Sequence, residues 1–352
     1  MLTDIKKKNY ETLKHCFIIF LVFACCNSQS SARAIGGTET LDCARIEDDA
    51  KRLECYDIIA EEQRRISRAQ TDETPFENLN HESYLFRNWK IDDSDQFFIM
   101  AHRPNYIQLY SHNSSPNTQS YQNISTGQSI LGSEVTFQIS LKSRIYHDIM
   151  GSKADLWFAY TQRSFWQFYD FEDSSPFRDS NYEPEILLNY PLDMSILGLS
   201  LKTITAGFNH QSNGRSEPYS RSWNRVVVNL GFERGPFVLL LNTWHRIPEG
   251  DDSDNNPDIN GFMGYGELRG YYFWGEHQFG IMLRNNLNFN DNHGAVQLEW
   301  SFPITKTLSG YVQGFSGYGE SLLDYNHKVS RIGAGFMLRL PICRKTTGCK
   351  SR

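Results

Sequence analysis

The chain has 352 residues, of which 39% are hydrophobic and 22% are charged, so it carries enough apolar material to fold, which argues against intrinsic disorder. Its formal net charge of −6 gives no basis for a nucleic-acid partner. The one long apolar run, residues 16–26, is too short for a membrane-spanning helix, which needs about 18 apolar residues or more. Aromatic residues make up 14% although the mean hydropathy is −0.51, so the chain is polar on average yet unusually aromatic.

The amino-terminal segment has the pattern of a secretory signal peptide. Four lysines precede the apolar run, and the small-residue pattern Ala32-Arg33-Ala34 follows it. A basic start, a short apolar centre and an A-x-A site predict cleavage after Ala34, which makes residues 1–34 a signal peptide. The alternative is a lipoprotein signal with an acylated Cys25, although the bulky side chain of Phe23 fits that pattern poorly.

Four cysteines remain after the predicted cleavage, in two local pairs. Cys43 and Cys55 lie in a charged stretch with helical spacing, and Cys343 and Cys349 lie near the carboxyl terminus. Close pairs suit two local disulfides in an oxidising compartment. A zinc site is the competing interpretation, but no paired histidines accompany these cysteines. We therefore predict that residues 35–90 form a small periplasmic extension with a Cys43–Cys55 disulfide.

From about Phe97 onwards, apolar and polar residues alternate, which is typical of strands with one apolar and one polar face. Strand candidates begin near Phe97, Glu134, Leu156, Glu183, Leu199, Arg221, Pro236, Asn260, Glu276, His293, Thr307 and Val329. Tight links such as 233–235 alternate with long polar links such as 211–220, which favours an outer-membrane barrel over a secreted β-sandwich. The predicted fold is all-β: a transmembrane antiparallel β-barrel of about twelve strands over residues 91–340, followed by a tail, residues 341–352.

One predicted hairpin carries polar side chains on its outward, apolar face. The row of Ile204, Ala206 and Phe208 continues with His210 and Ser212, and the row of Val226, Val228 and Leu230 on the next strand continues with Asn224. Hydrolases use such a set: serine attacks, histidine takes its proton, and a third side chain orients the imidazole. The competing interpretation is that these are ordinary polar residues where strands leave the membrane, which are common at barrel rims.

The segment 209–216 (Asn-His-Gln-Ser-Asn-Gly-Arg-Ser), followed by 220–225 (Ser-Arg-Ser-Trp-Asn-Arg), closely resembles the signature of the outer-membrane phospholipase A family. Further segments resemble that family in the same order between about Phe97 and Leu340: 160–162, 174–178, 181–184, 256–259 and 317–322. The resemblance implies a twelve-stranded barrel in the bacterial outer membrane that hydrolyses acyl esters of phospholipids, depends on Ca²⁺ and acts as a homodimer.

The resemblance also assigns site residues by position. Ser212 would be the nucleophile, His210 the general base, and Asn224 the residue that orients the histidine. Gln162 would support Asn224, and the backbone N–H of Gly214 would donate to the oxyanion. The calcium ligands would be the Arg215 carbonyl and Ser220 of one protomer, with Ser174 of the other.

A passive porin or structural barrel is the alternative function. A barrel of about twelve strands has a narrow lumen that side chains can fill. The interior candidates Arg331, Arg339, Glu299 and Gln297 can pair with one another. Such pairing disfavours a wide pore, and the sequence leaves open the headgroup preference and the choice of ester.

Overall fold

The computed structural model describes residues 43, 46–69, 83–89, 99–118, 130–172, 175–250, 252 and 254–338. The chain divides into two compact units, Met1–Asn80 and His81–Arg352. The predicted signal peptide, the tail 341–352 and the Cys343/Cys349 pair lie outside the described residues. Within those described ranges, no helix is long and apolar enough to cross a membrane.

In the first unit the described residues form the helix α1 (Asp49–Ala69). Asp48 precedes it, and its carboxylate accepts hydrogen bonds from the backbone N–H groups of Ala50 at 2.9 Å and Lys51 at 3.2 Å. This cap satisfies N–H groups that have no partner in the first helical turn. A disulfide joins Cys43 to Cys55 in the helix.

The second unit is a closed antiparallel barrel. Its strands are β1 (Ile99–Ala101), β2 (Tyr106–Asn113), β3 (Ser133–Tyr146), β4 (Asp155–Trp166), β5 (Phe177–Ile196), β6 (Leu199–Ser212), β7 (Ser222–Arg234), β8 (Phe237–Ile247), β9 (Gly266–Trp274), β10 (His277–Asn285), β11 (Gly294–Pro303), β12 (Leu308–Gly317) and β13 (Val329–Leu338). β1 and β2 are two segments of one barrel strand because both pair with β3, and β13 closes the barrel by pairing with β2. The predicted twelve-stranded barrel is thereby confirmed.

The links between strands alternate in length around the barrel. Two-residue turns at 197–198, 235–236 and 275–276 lie at one end, and the longer links 213–221 and 248–265 lie at the other. In the first turn both residues have a positive φ, 52° and 78°, as in the type I′ turns that fit the twist of a hairpin. Short turns at one end and long loops at the other are typical of outer-membrane barrels.

Paired charges fill the lumen near the long-loop end. Arg178 contacts Glu134 at 3.0 Å, and Arg331 contacts Glu134 at 2.7 Å and Glu320 at 2.9 Å. A second set comprises Arg103, Glu183, Glu185, Asn209 and Arg225, and elsewhere Gln297 donates to Glu299. Arg339 lies outside the described residues. Buried charges that are paired hold their positions, so these side chains obstruct the channel that a porin would need.

A short helix, α2 (Tyr84–Trp89), lies inside the barrel near the short turns. Leu85 is buried, and its N–H donates to Glu233 Oε1 at 2.5 Å. Gly231 leaves it room, since a Cβ there would lie 2.8 Å from the Leu85 side chain. The sequence predicts these residues as part of the 35–90 extension, whereas the structure assigns them to the barrel unit.

Two strands begin at other positions than predicted. β5 starts at Phe177 rather than near Glu183. The sequence conceals the beginning of this strand because its first lumen-facing side chains, Asp179 and Asn181, are polar and resemble those of a loop. The strand predicted near Asn260 is β9, which starts at Gly266, since the helix α3 (Ile259–Met263) precedes it.

Candidate active site

The predicted catalytic side chains lie on the outer face of the β6–β7 hairpin. Along β6, Thr205 and Asn209 are buried toward the lumen, whereas Phe208 is 63% exposed on the other face. His210 and Ser212 follow Phe208 on that outward face. Cross-strand pairing puts His210 opposite Asn224 and Ser212 opposite Ser222. One surface row thus contains the serine, the histidine and the asparagine.

His210 and Asn224 are joined by a hydrogen bond of 2.8 Å between Nδ1 and Oδ1. An amide oxygen can only accept, so Nδ1 carries the proton and Nε2 keeps a free lone pair. Ser212 is two residues further along the same face, about 7 Å away between Cα atoms at the rise of a strand. A hydroxyl and an imidazole two residues apart on one strand face, with one imidazole nitrogen held by an amide, are the residue types that hydrolases use for nucleophilic attack.

A carboxylate that the sequence does not predict adjoins this pair. Nδ2 of Asn224 donates to Oε1 of Glu249 at 3.0 Å. Glu249 lies just past the end of β8 and continues the outward row of His245 and Ile247 on that strand. The alternation that identifies the other site residues extends to Glu249, but Pro248 and the polar loop after it conceal the continuation.

Gln162 does not reach Asn224, so the prediction that Gln162 supports Asn224 is wrong. Cross-strand pairing joins Gln162 on β4 to Tyr182 on β5, and Tyr182 to Ser212 on β6. Asn224 is on β7, three strands from Gln162, or about 14 Å at the usual strand spacing. Gln162 instead donates to Ser164 at 3.1 Å. The contact to Asn224 that was expected of Gln162 is made by Glu249.

The loop 213–221 carries three more of the predicted residues. Gly214 has a φ of +63°, which favours glycine, and a Cβ there would lie 3.2 Å from the Tyr182 ring. The Arg215 guanidinium donates to the carbonyl groups of Phe177 at 3.1 Å and Arg178 at 2.7 Å. These contacts tie the loop after Ser212 to the beginning of β5.

Ser220 lies at the far end of the same loop. Its hydroxyl accepts a hydrogen bond from Asn255 Nδ2 at 2.7 Å, which links two of the long loops. Asn213 holds the two ends of its own loop together, since its Oδ1 accepts from the N–H of Arg221 at 3.0 Å and its N–H donates to the Arg221 carbonyl at 3.0 Å. The loop that follows the predicted nucleophile is therefore fixed at both ends.

The residues expected to hold calcium supply oxygen donors. The Arg215 carbonyl and the Ser220 hydroxyl are the hard ligands that Ca²⁺ prefers, and the hydroxyl keeps a lone pair while it accepts from Asn255. Ser174, the third predicted ligand, lies outside the described residues. In the part of the chain that the structure describes, His, Cys, Asp and Glu side chains form no cluster of three or more that could hold a metal. A set of hydroxyl and carbonyl oxygens needs no such cluster, so the ligand types that Arg215 and Ser220 supply suit the ion.

The barrel sequence is similar to known proteins over most of its length. The family model described as Phospholipase A1 matches residues 81–338. Phospholipase A1 of Klebsiella pneumoniae is 38% identical over 254 residues, which cover 72% of this chain and 87% of that protein. Phospholipase A1 of Escherichia coli K12 is 37% identical over 254 residues, which cover 72% and 86%.

Solved structures give the same result. Outer membrane phospholipase A from Escherichia coli is similar with a TM-score of 0.65 at 37% identity, covering 68% of this chain and 94% of that one. An active-site variant of that protein, in which an asparagine is replaced by alanine, has a TM-score of 0.67 at 36% identity and covers 72% and 96%. The Salmonella typhi outer membrane phospholipase, crystallised as a dimer with bound calcium, has a TM-score of 0.67 at 35% identity and covers 73% and 97%.

Proposed function

This chain belongs to the phospholipase A1 family of the bacterial outer membrane, and on that basis we propose that it hydrolyses acyl esters of phospholipids and lysophospholipids with Ser212, His210 and Asn224 as its catalytic triad. The reaction would depend on calcium and take place in a dimer. The observation that carries the proposal is the 2.8 Å hydrogen bond between His210 and Asn224, in the same outward row as Ser212.

In the proposed reaction, Ser212 Oγ attacks the ester carbonyl carbon while His210 Nε2 takes the hydroxyl proton. The imidazolium then gives that proton to the leaving alkoxide oxygen, and the acyl group stays on Ser212. A water molecule then attacks the acyl carbonyl carbon while His210 Nε2 takes its proton. When the acyl–Ser212 bond breaks, the imidazolium gives that proton to Ser212 Oγ, so the fatty acid leaves and the free serine and neutral histidine are restored. Asn224 keeps the Nδ1 proton and the ring orientation unchanged throughout.

The tetrahedral intermediate places negative charge on the former carbonyl oxygen. We propose that the backbone N–H of Gly214 donates a hydrogen bond to this oxyanion. Gly214 lies two residues after Ser212, and its left-handed conformation turns the backbone away from the direction of the preceding strand. A calcium ion bound nearby would stabilise the same charge electrostatically. Its proposed ligands are the Arg215 carbonyl, Ser220, and Ser174 of a second protomer. The donor chemistry supports this set, and so does the relative from Salmonella typhi, which is a dimer with bound calcium.

The outward position of the triad suits a substrate that stays in the bilayer. Ser212 is the last residue of β6, at the end of the barrel that carries the long loops, so it would meet the ester near the headgroup level. At the same end of the barrel, where β4 ends and β5 begins, Trp166 and Phe177 stack with their ring centroids 5.5 Å apart. Their rings extend an apolar surface along which acyl chains could lie.

The test is fatty-acid release from phospholipid vesicles by Ser212→Ala, with Ser222→Ala as the matched control. Ser222 is the cross-strand neighbour of Ser212, so its replacement removes a hydroxyl from the same face without removing the nucleophile. We expect Ser212→Ala to lose at least about a thousandfold in kcat and Ser222→Ala to keep most of its activity. Wild-type turnover in folded Ser212→Ala would overturn the triad, and activity unaffected by a calcium chelator would overturn the calcium dependence.

A further inference from the structure

We propose that Glu249 is a positioning residue for the triad, acting on His210 through Asn224. This inference rests on the proposed function. Its basis is a continuous chain of hydrogen bonds on the outer face: Glu249 Oε1 accepts from Asn224 Nδ2 at 3.0 Å, and Asn224 Oδ1 accepts from His210 Nδ1 at 2.8 Å. Asn224 therefore uses both ends of its amide group, one toward a carboxylate and one toward the imidazole.

The first consequence concerns the orientation of the amide. An ionised carboxylate can only accept hydrogen bonds, so it requires the NH₂ edge of Asn224 on its side. That requirement turns the carbonyl edge toward His210. The opposite flip would bring the amide oxygen against the carboxylate and an N–H group against the protonated Nδ1. Glu249 thus determines that Nδ1 carries the proton and that Nε2 is the nitrogen left to act as the base.

The second consequence concerns charge. A neutral asparagine orients histidine but stabilises the imidazolium less than an aspartate does. Glu249 supplies a negative charge one step further from His210 along the chain of hydrogen bonds. The hydrogen bond from Asn224 to this carboxylate polarises the amide, so that Oδ1 becomes a stronger acceptor. Asn224 and Glu249 are both only partly exposed, which reduces the screening of this effect by water.

The loop that carries Glu249 is held against the hairpin. Past the end of β8, the side-chain oxygens of Asn255 and Asn256 accept from the N–H of Ser222 at 3.1 and 3.0 Å. Arg246 pairs with Asp254 across the base of this loop at 2.6 Å. The carboxylate of Glu249 therefore comes from a segment tied to the strand that carries Asn224.

The experiment compares Glu249→Gln and Glu249→Ala with wild type, measuring kcat and KM on detergent-solubilised lysophospholipid. Glutamine keeps an acceptor oxygen for Asn224 but no charge, so we expect kcat to fall about three- to fivefold, a loss typical of one partly exposed charge. Alanine removes both the acceptor and the charge, and we expect a fall of about tenfold or more with little change in KM. The control is Asp252→Asn, which removes one charge from an exposed position in the same loop and should leave kcat unchanged.

A double-mutant cycle with Asn224→Asp distinguishes a positioning role of Glu249 from a merely structural one. In that background two carboxylates would lie within hydrogen-bonding distance and repel each other, displacing the side chain that orients His210. Glu249→Gln should therefore raise kcat in the Asn224→Asp background, although it lowers kcat in wild type. A fall of equal size in both backgrounds, or no effect of Glu249→Gln in wild type, would overturn the inference. Loss of activity in Ser212→Ala in the same assay shows that such a result concerns Glu249 and not the proposed function.

Discussion

Phe208 faces Val226 directly across the β6–β7 ladder, and both side chains are exposed on the outer surface of the barrel, at 63% and 37%. The next pair on the same face of these strands is His210 and Asn224. The proposed catalytic pair therefore lies only about 7 Å, two residues of strand, beyond an apolar pair on the same face. The proposed triad therefore lies on the outer surface of the barrel and not in its lumen.

This arrangement predicts the environment of labels attached along the hairpin. A nitroxide at position 208 or 226 should be accessible to oxygen, which dissolves in hydrocarbon, and protected from a water-soluble relaxation agent. A label at position 205, whose native threonine is buried in the lumen, should not show this hydrocarbon signature. Electron paramagnetic resonance on reconstituted protein measures both accessibilities, and the opposite result would contradict the assignment of the two faces.

The two partners of the 2.8 Å hydrogen bond should differ in importance. His210→Ala removes the group that transfers the proton, so we expect kcat to fall at least about a thousandfold. Asn224→Ala leaves the base in place but loosens its orientation, so a smaller loss of about ten- to a hundredfold is expected. Initial rates of fatty-acid release, on variants shown by heat-modifiable gel mobility to be folded, give the comparison. A greater loss in Asn224→Ala would require the roles to be reassigned.

Strand alternation predicts this part of the site well, for a physical reason. A barrel wall has only two faces, so any residue in a regular strand lies either outward or inward according to parity. That is why the rows containing His210, Ser212 and Asn224 could be derived from the residues alone. The same reasoning stops where a strand appears to end, so Glu249, beyond Pro248, was missed.

Cross-strand neighbours and hidden strand ends were harder to predict. The contact of Gln162 with Asn224 was an implication of the family resemblance, and parity could not test it, because parity does not say how many strands separate two residues on one face. Lumen-facing polar side chains also obscure strands, since Asp179 and Asn181 near the start of β5 are buried in the barrel yet have the composition of a loop. Their polarity reflects the polar interior of the barrel rather than exposure to solvent.

The buried charges of the lumen should make a measurable contribution to stability. Glu134 is almost fully buried and bonds to both Arg178 and Arg331. Glu134→Ala leaves two arginines with one fewer counter-charge, so we expect the free energy of unfolding to fall by about 3 kcal/mol. The matched control is Asp193→Ala, which breaks an ion pair with Lys202 in which Asp193 is 63% exposed. That change should cost no more than about 0.5 kcal/mol. Guanidinium unfolding in lipid vesicles measures both, and equal effects would contradict a structural role for the buried network.

The last prediction concerns a calcium site shared between two protomers. If Ser174 of one protomer completes the site of the other, Ser174→Ala and Ser212→Ala homodimers should both be weak at limiting calcium, for different reasons. In a mixed dimer the Ser174→Ala protomer keeps its own Ser212 and receives the intact Ser174 of its partner. One complete site is then formed in each mixed dimer, together with one inactive site.

Random pairing of equal amounts makes half of the dimers mixed, and each of these restores one of its two sites. Activity should therefore recover to about a quarter of the wild-type value, well above the average of the two parents. Calcium must be limiting, because the remaining oxygen ligands and water molecules can still hold the ion weakly when it is saturating. If Ser174 only stabilises its own loop, mixing gives no more than the parental average. That outcome, in a sample shown by crosslinking to contain mixed dimers, would exclude a calcium site that spans the interface.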